Sequence, residues 1–216
     1  PFTEKIQQNP QRSAQGQLMD KNIVFAGTPD FAAVHLQALI DANLKPQVVY
    51  TQPDRPCGRG HKLTPSPVKA LALAHGIEVR TPLNFKEEAD KQAFIDLNII
   101  NAPTFGSINV HGSLLPKYRG AAPIQRALLD GESETGVSIM KIAHALDAGD
   151  VYTKARLKIE DDDTSGSLFE KLATLGAKTL VESVPLICEG KLRSSAQNEA
   201  EVTYAKKLSK DEAPLN

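Results

Sequence analysis

Apolar positions along this chain fall into short runs, separated by glycine, proline and capping residues, with spacing that alternates between strand and helix periods. Asn22 to Ala26 (NIVFA) is a short apolar run that predicts a buried strand. Gly27-Thr28-Pro29-Asp30 turns the chain, with Thr28 placed as N-cap and Pro29 at the first helical position. Phe31 to Ala42 carries helical periodicity at Phe31, Val34, Leu36, Leu39 and Ile40. Pro46 to Thr51 predicts the next strand. Ser66-Pro67 repeats the cap-and-proline start for a helix to Ala74, with Gly76 as its stop. Ile77 to Arg80 predicts a third strand, and Asn84 caps a charged helix running to about Leu97. This order of strand and helix points to an α/β fold, Rossmann-like, built on a doubly wound, mostly parallel sheet.

The second half continues less regularly. Ala121 to Leu129 reads as a short helix. Gly136 to Ile142 and Val151 to Ile159 read as strands. The latter sets Lys154, Arg156 and Lys158 on one face, the pattern of a partly exposed antiparallel strand. A long helix begins at Thr164 or Ser165 and runs through Leu168, Leu172, Leu175 and Leu180 to Ile187, with Gly190 following. From Arg193 to Asn216 the chain turns polar and reads as a connector. Pro1 to Gln17 is polar, rich in Gln and without the apolar core of a signal peptide, so it is read as a tail outside the fold.

Composition narrows the picture only a little. The 216 residues suit one α/β domain with extensions. With 41% apolar and 24% charged residues the chain has the composition of a soluble globular protein. A net charge of −1 gives no global pull toward nucleic acid or acidic lipid, so any basic patch is local. Cys57 and Cys188 make neither a disulfide framework nor a C-x-x-C metal motif, and no apolar run approaches membrane-spanning length. The expectation is a cytoplasmic protein acting away from membranes.

The chemistry concentrates in Ile108-Asn109-Val110-His111-Gly112-Ser113-Leu114-Leu115-Pro116 and in Leu146-Asp147-Ala148-Gly149-Asp150. Asn109 and His111 are two apart on a strand and share one face. Asp147 sits in a glycine-flanked turn. An N-x-H at a strand end is commonly a satisfied loop pair. Its placement at the carboxyl end of an α/β strand, where such sheets bind ligands, argues for more. An amide, an imidazole and a carboxylate with no Ser or Cys nucleophile beside them suit transfer of an acyl group to an outside nucleophile. The turn Ala26-Gly27-Thr28-Pro29 has one glycine where a dinucleotide fingerprint needs three, which argues against NAD or FAD.

Gln52 to Lys69 (QPDRPCGRGHKLTPSPVK) is the other unusual stretch. It holds four Pro, two Gly and several cations, among them Arg55, Arg59 and Lys62, against the single acid Asp54. The prolines exclude regular structure over most of it. Such a loop is often merely solvated, but its length and charge fit an arm that meets phosphate. It has no aromatic to stack on bases, so backbone contacts are expected.

These stretches resemble the methionyl-tRNA formyltransferases. The matching segments are NIVFAGTPDFA, YTQPDRPCGRGHKLTPSPVK, SINVHGSLLPKYRGAAPIQRALLDGE, ETGVSIMKI, LDAGDV, DTSGSLFEKLA and VTYAKKLSKDEA, which span most of residues 22–212. INVHGSLLP and LDAGD are shared across the folate-dependent formyltransferases. The arginine-glycine arm and the TYAKKLSKDEA connector narrow the likeness to the tRNA enzymes. The resemblance implies the formyltransferase fold and transfer of a formyl group from 10-formyltetrahydrofolate to the α-amine of methionyl initiator tRNA. It implies tetrahydrofolate as product, no metal, and a monomer.

The resemblance maps catalysis onto Asn109, His111 and Asp147. Asn109 and a His111 polarised by Asp147 would stabilise the tetrahedral oxyanion, and Asp147 would relay the amine proton toward the departing N10. Ser113, Leu114, Leu115 and Pro116 would line the folate site. Arg59 would be the arm's principal tRNA contact, with Arg55 and Lys62 beside it. Lys117, Arg119 and Arg126 would favour phosphate or the folate glutamate tail by their position near the active loop.

Residues 1–20 are then an unmatched tail, 21–193 the catalytic domain, and 194–216 a linker toward a C-terminal barrel domain absent after Asn216. Between the Asn84 helix and Ser107 the family carries a further apolar strand and a Tyr/Pro loop and helix, where this sequence has only Asn98 to Gly106. The resemblance thus implies family sequence missing between about Leu97 and Thr104. Two alternatives stand beside this reading. Another folate-dependent formyltransferase, acting on a nucleotide sugar or glycinamide ribonucleotide, would keep the trio without the arm. An inactive binding domain would truly lack the central strand.

Overall fold

The computed structural model describes residues 23–57, 62–82 and 106–212. Val24–Ala26 (β1) leads through helix Asp30–Asp41 (α1) to Val48–Tyr50 (β2). A small hairpin, Arg55–Cys57 (β3) and Lys62–Thr64 (β4), precedes helix Pro67–Ala74 (α2) and strand Glu78–Arg80 (β5). Ile108–His111 (β6) is followed by the short Arg119–Gly120 (β7), helix Pro123–Leu129 (α3), Glu134–Lys141 (β8) and Val151–Lys158 (β9). The long helix Ser165–Cys188 (α4) and the short strand Tyr204–Ala205 (β10) complete the path.

Helical crossovers impose the parallel order β1-β2-β5, register Val24↔Val48 and Val48↔Glu78. Leu36 of α1 and Val68 and Ala72 of α2 close over Val49 and Ile77. Each Leu, Val or Ile among them contributes roughly 1.5–3 kcal/mol when fully buried. The α/β class is as the sequence predicts. The second three-stranded sheet, β6-β8-β9, is antiparallel throughout, with Asn109 opposite Met140 and His111 opposite Ser138. Helix α4 covers it, placing Leu180, Val184 and Ile187 on Ile139, and Leu168 and Leu172 on Val137. Strand β8 lies between two strands, so Thr135 to Met140 are buried without interruption, which explains why its alternation is imperfect. On β9 the exposed Lys154, Arg156 and Lys158 alternate with half-buried neighbours as expected.

Local signals hold in part. Ser66 Oγ accepts from Lys69 N at 3.0 Å with Pro67 in the first turn, and Thr164 caps α4 in a reciprocal pair with Ser167. Thr28 is not the cap of α1. That helix starts one residue later, with Pro29 as N-cap, because the Thr28 hydroxyl accepts from Gln52 N at 3.3 Å and ties the β1 turn to the end of β2. The proline-rich arm is more regular than predicted. Pro56 is accommodated because a two-stranded ribbon leaves one side of each strand unpaired, where the missing N–H is no loss. Residues 1–20, the Asn84 helix and the stretch 97–104 lie outside the described residues.

Candidate active site

Strand β6 fixes the first two groups. Val110 points into the core beneath α4, so Asn109 and His111 share the opposite face. Asn109 is exposed, whereas His111 is buried with 6% exposure. The imidazole is held on both sides. Its Nε2 lies 2.8 Å from the Tyr118 carbonyl, which can only accept, so Nε2 carries the proton in that bond. Its Nδ1 faces Asp147 Oδ2 at 3.7 Å, slightly beyond a hydrogen bond.

Asp147 occupies a turn that its backbone does not adopt easily, with φ at +48°. Three contacts hold it there. Gly120 N donates to Oδ2 at 2.8 Å, and the Gln197 side-chain amide donates to the Asp147 and Gly149 carbonyls, both at 2.8 Å. Gly149 permits the turn to close, since a Cβ there would sit 2.8 Å from the Lys141 carbonyl carbon. Tyr118-Arg119-Gly120 is therefore the common anchor, bonding His111 through one carbonyl and Asp147 through one N–H. The tripeptide is itself held by Thr203, whose Oγ1 accepts from Tyr118 N at 2.8 Å, and by the parallel pairing of β7 with β10. The Tyr118 hydroxyl shares its one proton between Asp130 and Glu132, and burial beside these carboxylates pushes the phenol above its ordinary range.

The structure brings His111 and Asp147 together and sets Asn109 on the same face. Ser113 and Leu115 are fully buried. Ser113 donates to the Lys117 carbonyl at 2.6 Å, and Leu115 N donates to Ser138 Oγ at 3.1 Å. Leu114 is half-buried, so of Ser113, Leu114 and Leu115 it is the side chain that reaches the surface. Pro116 lines a groove of about 300 Å³ on the β9 side with Tyr152, Lys154 and Gln197. Arg55 is exposed at the start of β3, Lys62 begins β4, and Arg59 lies outside the described residues.

Of the three cations placed near the active loop, burial withdraws Arg119, while Arg126 and Lys117 keep surface exposure beside their partners. Arg119 is 3% exposed and donates to Gln197 and Glu199, holding the Glu199 carboxyl below its ordinary range. Arg126 pairs with Glu212, and Lys117 with Glu132. Each is matched within the chain. Tyr118, Gly120, Ser138, Gln197 and Thr203 were not singled out from sequence. Only the first two sit inside the active-loop motif, where a Gly after two bulky residues hints at a turn. The other three act from distant segments. Residues 195–205, read as connector, lie against the site through the Val151–Ser195 bridge and β10.

An amide donor and an imidazole–carboxylate pair, with no side-chain nucleophile beside them among the described residues, are groups with the chemistry to stabilise an oxyanion and move a proton. The model of a protein family described as formyl transferase matches residues 21–184, three-quarters of the sequence. The chain belongs to the formyl transferase family. As a formyl transferase it is an enzyme, and solved structures share its fold. An N-formyltransferase from Helicobacter canadensis, in complex with folinic acid and dTDP-3-aminofucose, has a TM-score of 0.63 at 20% identity, covering 90% of this chain and 72% of that one. Glycinamide ribonucleotide transformylase 1 from Symbiobacterium toebii has a TM-score of 0.64 at 16% identity, covering 83% and 95%. The formyltransferase PseJ from Anoxybacillus kamchatkensis, in complex with UDP-4,6-dideoxy-4-formamido-L-AltNAc and tetrahydrofolate, has a TM-score of 0.53 at 21% identity, covering 85% of each. No described helix of this formyl transferase is long and apolar enough to cross a membrane. Among its described residues no three His, Cys, Asp or Glu side chains gather as a metal site.

Proposed function

We propose that this formyl transferase carries a formyl group from 10-formyltetrahydrofolate to the α-amine of methionyl initiator tRNA, with Asn109, His111 and Asp147 as its catalytic residues. The pairing of His111 with Asp147 on the Asn109 face of β6 carries the chemical part of this reading. The amine attacks the formyl carbon and a C–N bond forms. The carbonyl oxygen becomes an oxyanion, then the bond to N10 breaks and the amine's proton passes to N10. Asn109 donates to that oxygen. Nδ1 of His111, beyond hydrogen-bond distance of Asp147, is the ring nitrogen left for substrate, and because Nε2 already donates to the Tyr118 carbonyl it donates only from the imidazolium form. Asp147 balances the imidazolium charge and accepts the amine proton. One preorganised donor of this kind contributes roughly 3–4 kcal/mol to the transition state.

The arm supports the acceptor. A Pro- and Gly-bearing hairpin with Arg55 exposed at its base suits a nucleic-acid backbone better than a small sugar. Sequence resemblance adds Arg59 and Lys62. Leu114 and the exposed Leu146, which precedes Asp147 in the chain, suit the flat donor.

A nucleotide-sugar acceptor is the second reading, favoured by the sugar nucleotides in the Helicobacter and Anoxybacillus structures. Formyl transfer from 10-formyltetrahydrofolate by the full chain, offered charged initiator tRNA, an aminodeoxy sugar nucleotide and glycinamide ribonucleotide in parallel, separates them. Product on tRNA alone is expected. Product on the sugar amine with none on tRNA would replace the proposal by the second reading.

A further inference from the structure

Gln197 lies in a polar stretch with no motif, yet its side chain makes every hydrogen bond it can. Nε2 has two protons and donates both, to the Asp147 and Gly149 carbonyls at 2.8 Å each. Oε1 has two lone pairs and accepts from Arg119 Nε at 3.1 Å and Nη2 at 2.9 Å. Only this orientation of the amide satisfies all four partners, because carbonyls only accept and a guanidinium only donates. Arg119 is buried, clamped by Glu199 at 2.7 Å, and immovable within β7. Its peptide neighbour Gly120 supplies the N–H that binds the Asp147 carboxylate. The turn is thus fixed at both ends, with the carboxylate bonded to the β7 backbone and the main chain bonded to Gln197, which is braced on the β7 side chain. The bracing acts on a residue whose φ of +48° is uncommon for a non-glycine residue.

We propose that Gln197 is a positioning residue for formyl transfer, its amide holding the Asp147 turn against Arg119 so that the carboxylate stays aimed at His111. This rests on the reading of His111 and Asp147 as the chemical groups. Misplacing a catalytic group by about 1 Å lowers turnover by as much as about a hundredfold.

The test uses Gln197→Met and Gln197→Glu in the full-length protein, beside His111→Ala and Asp147→Asn. Methionine keeps the length of the side chain and removes all four bonds. Glutamate keeps the acceptor for Arg119 and removes both donors to the turn. Both variants are expected to lower kcat by about 10- to 100-fold. KM for 10-formyltetrahydrofolate should stay within about threefold, and the pH profile of kcat should move because the His111–Asp147 pair is no longer fixed. If Gln197→Met fails to fold, Gln197→Glu decides alone. Wild-type kcat in Gln197→Glu, with His111→Ala and Asp147→Asn impaired, overturns the positioning role and leaves the site reading intact. Wild-type kcat in His111→Ala and Asp147→Asn overturns the site reading instead.

Discussion

Gly149→Ala tests whether the Asp147 turn is built as described. An alanine Cβ would lie 2.8 Å from the Lys141 carbonyl carbon, with the carbonyl oxygen closer still. Non-bonded carbons settle near about 3.5–4.0 Å, so one of the two segments must withdraw by about 1 Å. Neither gives easily. Lys141 ends β8, and its N–H donates to the Asp150 carbonyl at 2.8 Å, which closes the same turn from the other side. Overpacking of this kind costs about 1–3 kcal/mol. Withdrawal of Gly149 also breaks its bond from Gln197, a further loss of about 1 kcal/mol. The sum, about 2–4 kcal/mol, lowers the melting temperature of a chain this size by about 4–16 °C.

The displacement reaches the carboxylate two residues away, and turnover should fall by about a hundredfold. Calorimetry at fixed ionic strength and single-turnover formyl transfer with saturating donor measure both effects. A variant that melts within 2 °C of the wild type, as about the smallest resolvable change, and turns over normally would show that the turn does not close on Lys141.

Three further outcomes are expected. His111→Ala and Asp147→Asn should each lower turnover by about 10²–10³ while donor binding, read by equilibrium fluorescence, stays near wild type; full turnover in both removes the pair from the chemistry. Arg59→Ala should raise KM for charged tRNA and flatten its salt dependence with donor kinetics unchanged, and an unaltered salt slope makes the arm a solvated loop. Burial lowers the pKa of His35 from its ordinary 6.5, so the unfolded chain takes up the proton first and the fold loses stability as pH drops below that value. Urea midpoints at pH 7.5 and 5.5, roughly one unit either side of 6.5, should differ less in His35→Leu than in the wild type, and equal differences refute the assignment.

What the sequence made legible was local. Ser66 and Thr164 cap helices because the residue, the first turn and the apolar stripe agree within a few positions. The α1 stripe was legible only in part. Its periodicity named Val34, which is 40% exposed, while the inward position is His35, 3% exposed and four residues beyond Phe31. A polar letter hid it. His35 is tolerated there because Nδ1 donates to the Phe31 carbonyl and Gly176 of α4 leaves room for the ring. Its Nε2 has no partner among the described residues, the feature that makes the pH prediction specific.

The site divides in the same way. Asn109 and His111 were visible because strand alternation is a two-residue rule, and Asp147 because a glycine-flanked acid marks a turn. The groups that hold them were not, since Gln197 is 78 residues from Arg119 and 50 from Asp147. Arg119 illustrates the physical cause. An arginine after Lys117 and Tyr118 reads as a solvated or phosphate-binding cation, and only the arrival of Gln197 and Glu199 from the far end of the chain makes its burial tolerable. The segment 195–205 therefore cannot be exchanged or removed without disturbing the Asp147 turn 50 residues upstream. Its polar composition marks the surface it presents, and its buried Ala205 and bonded Gln197 mark the one it covers.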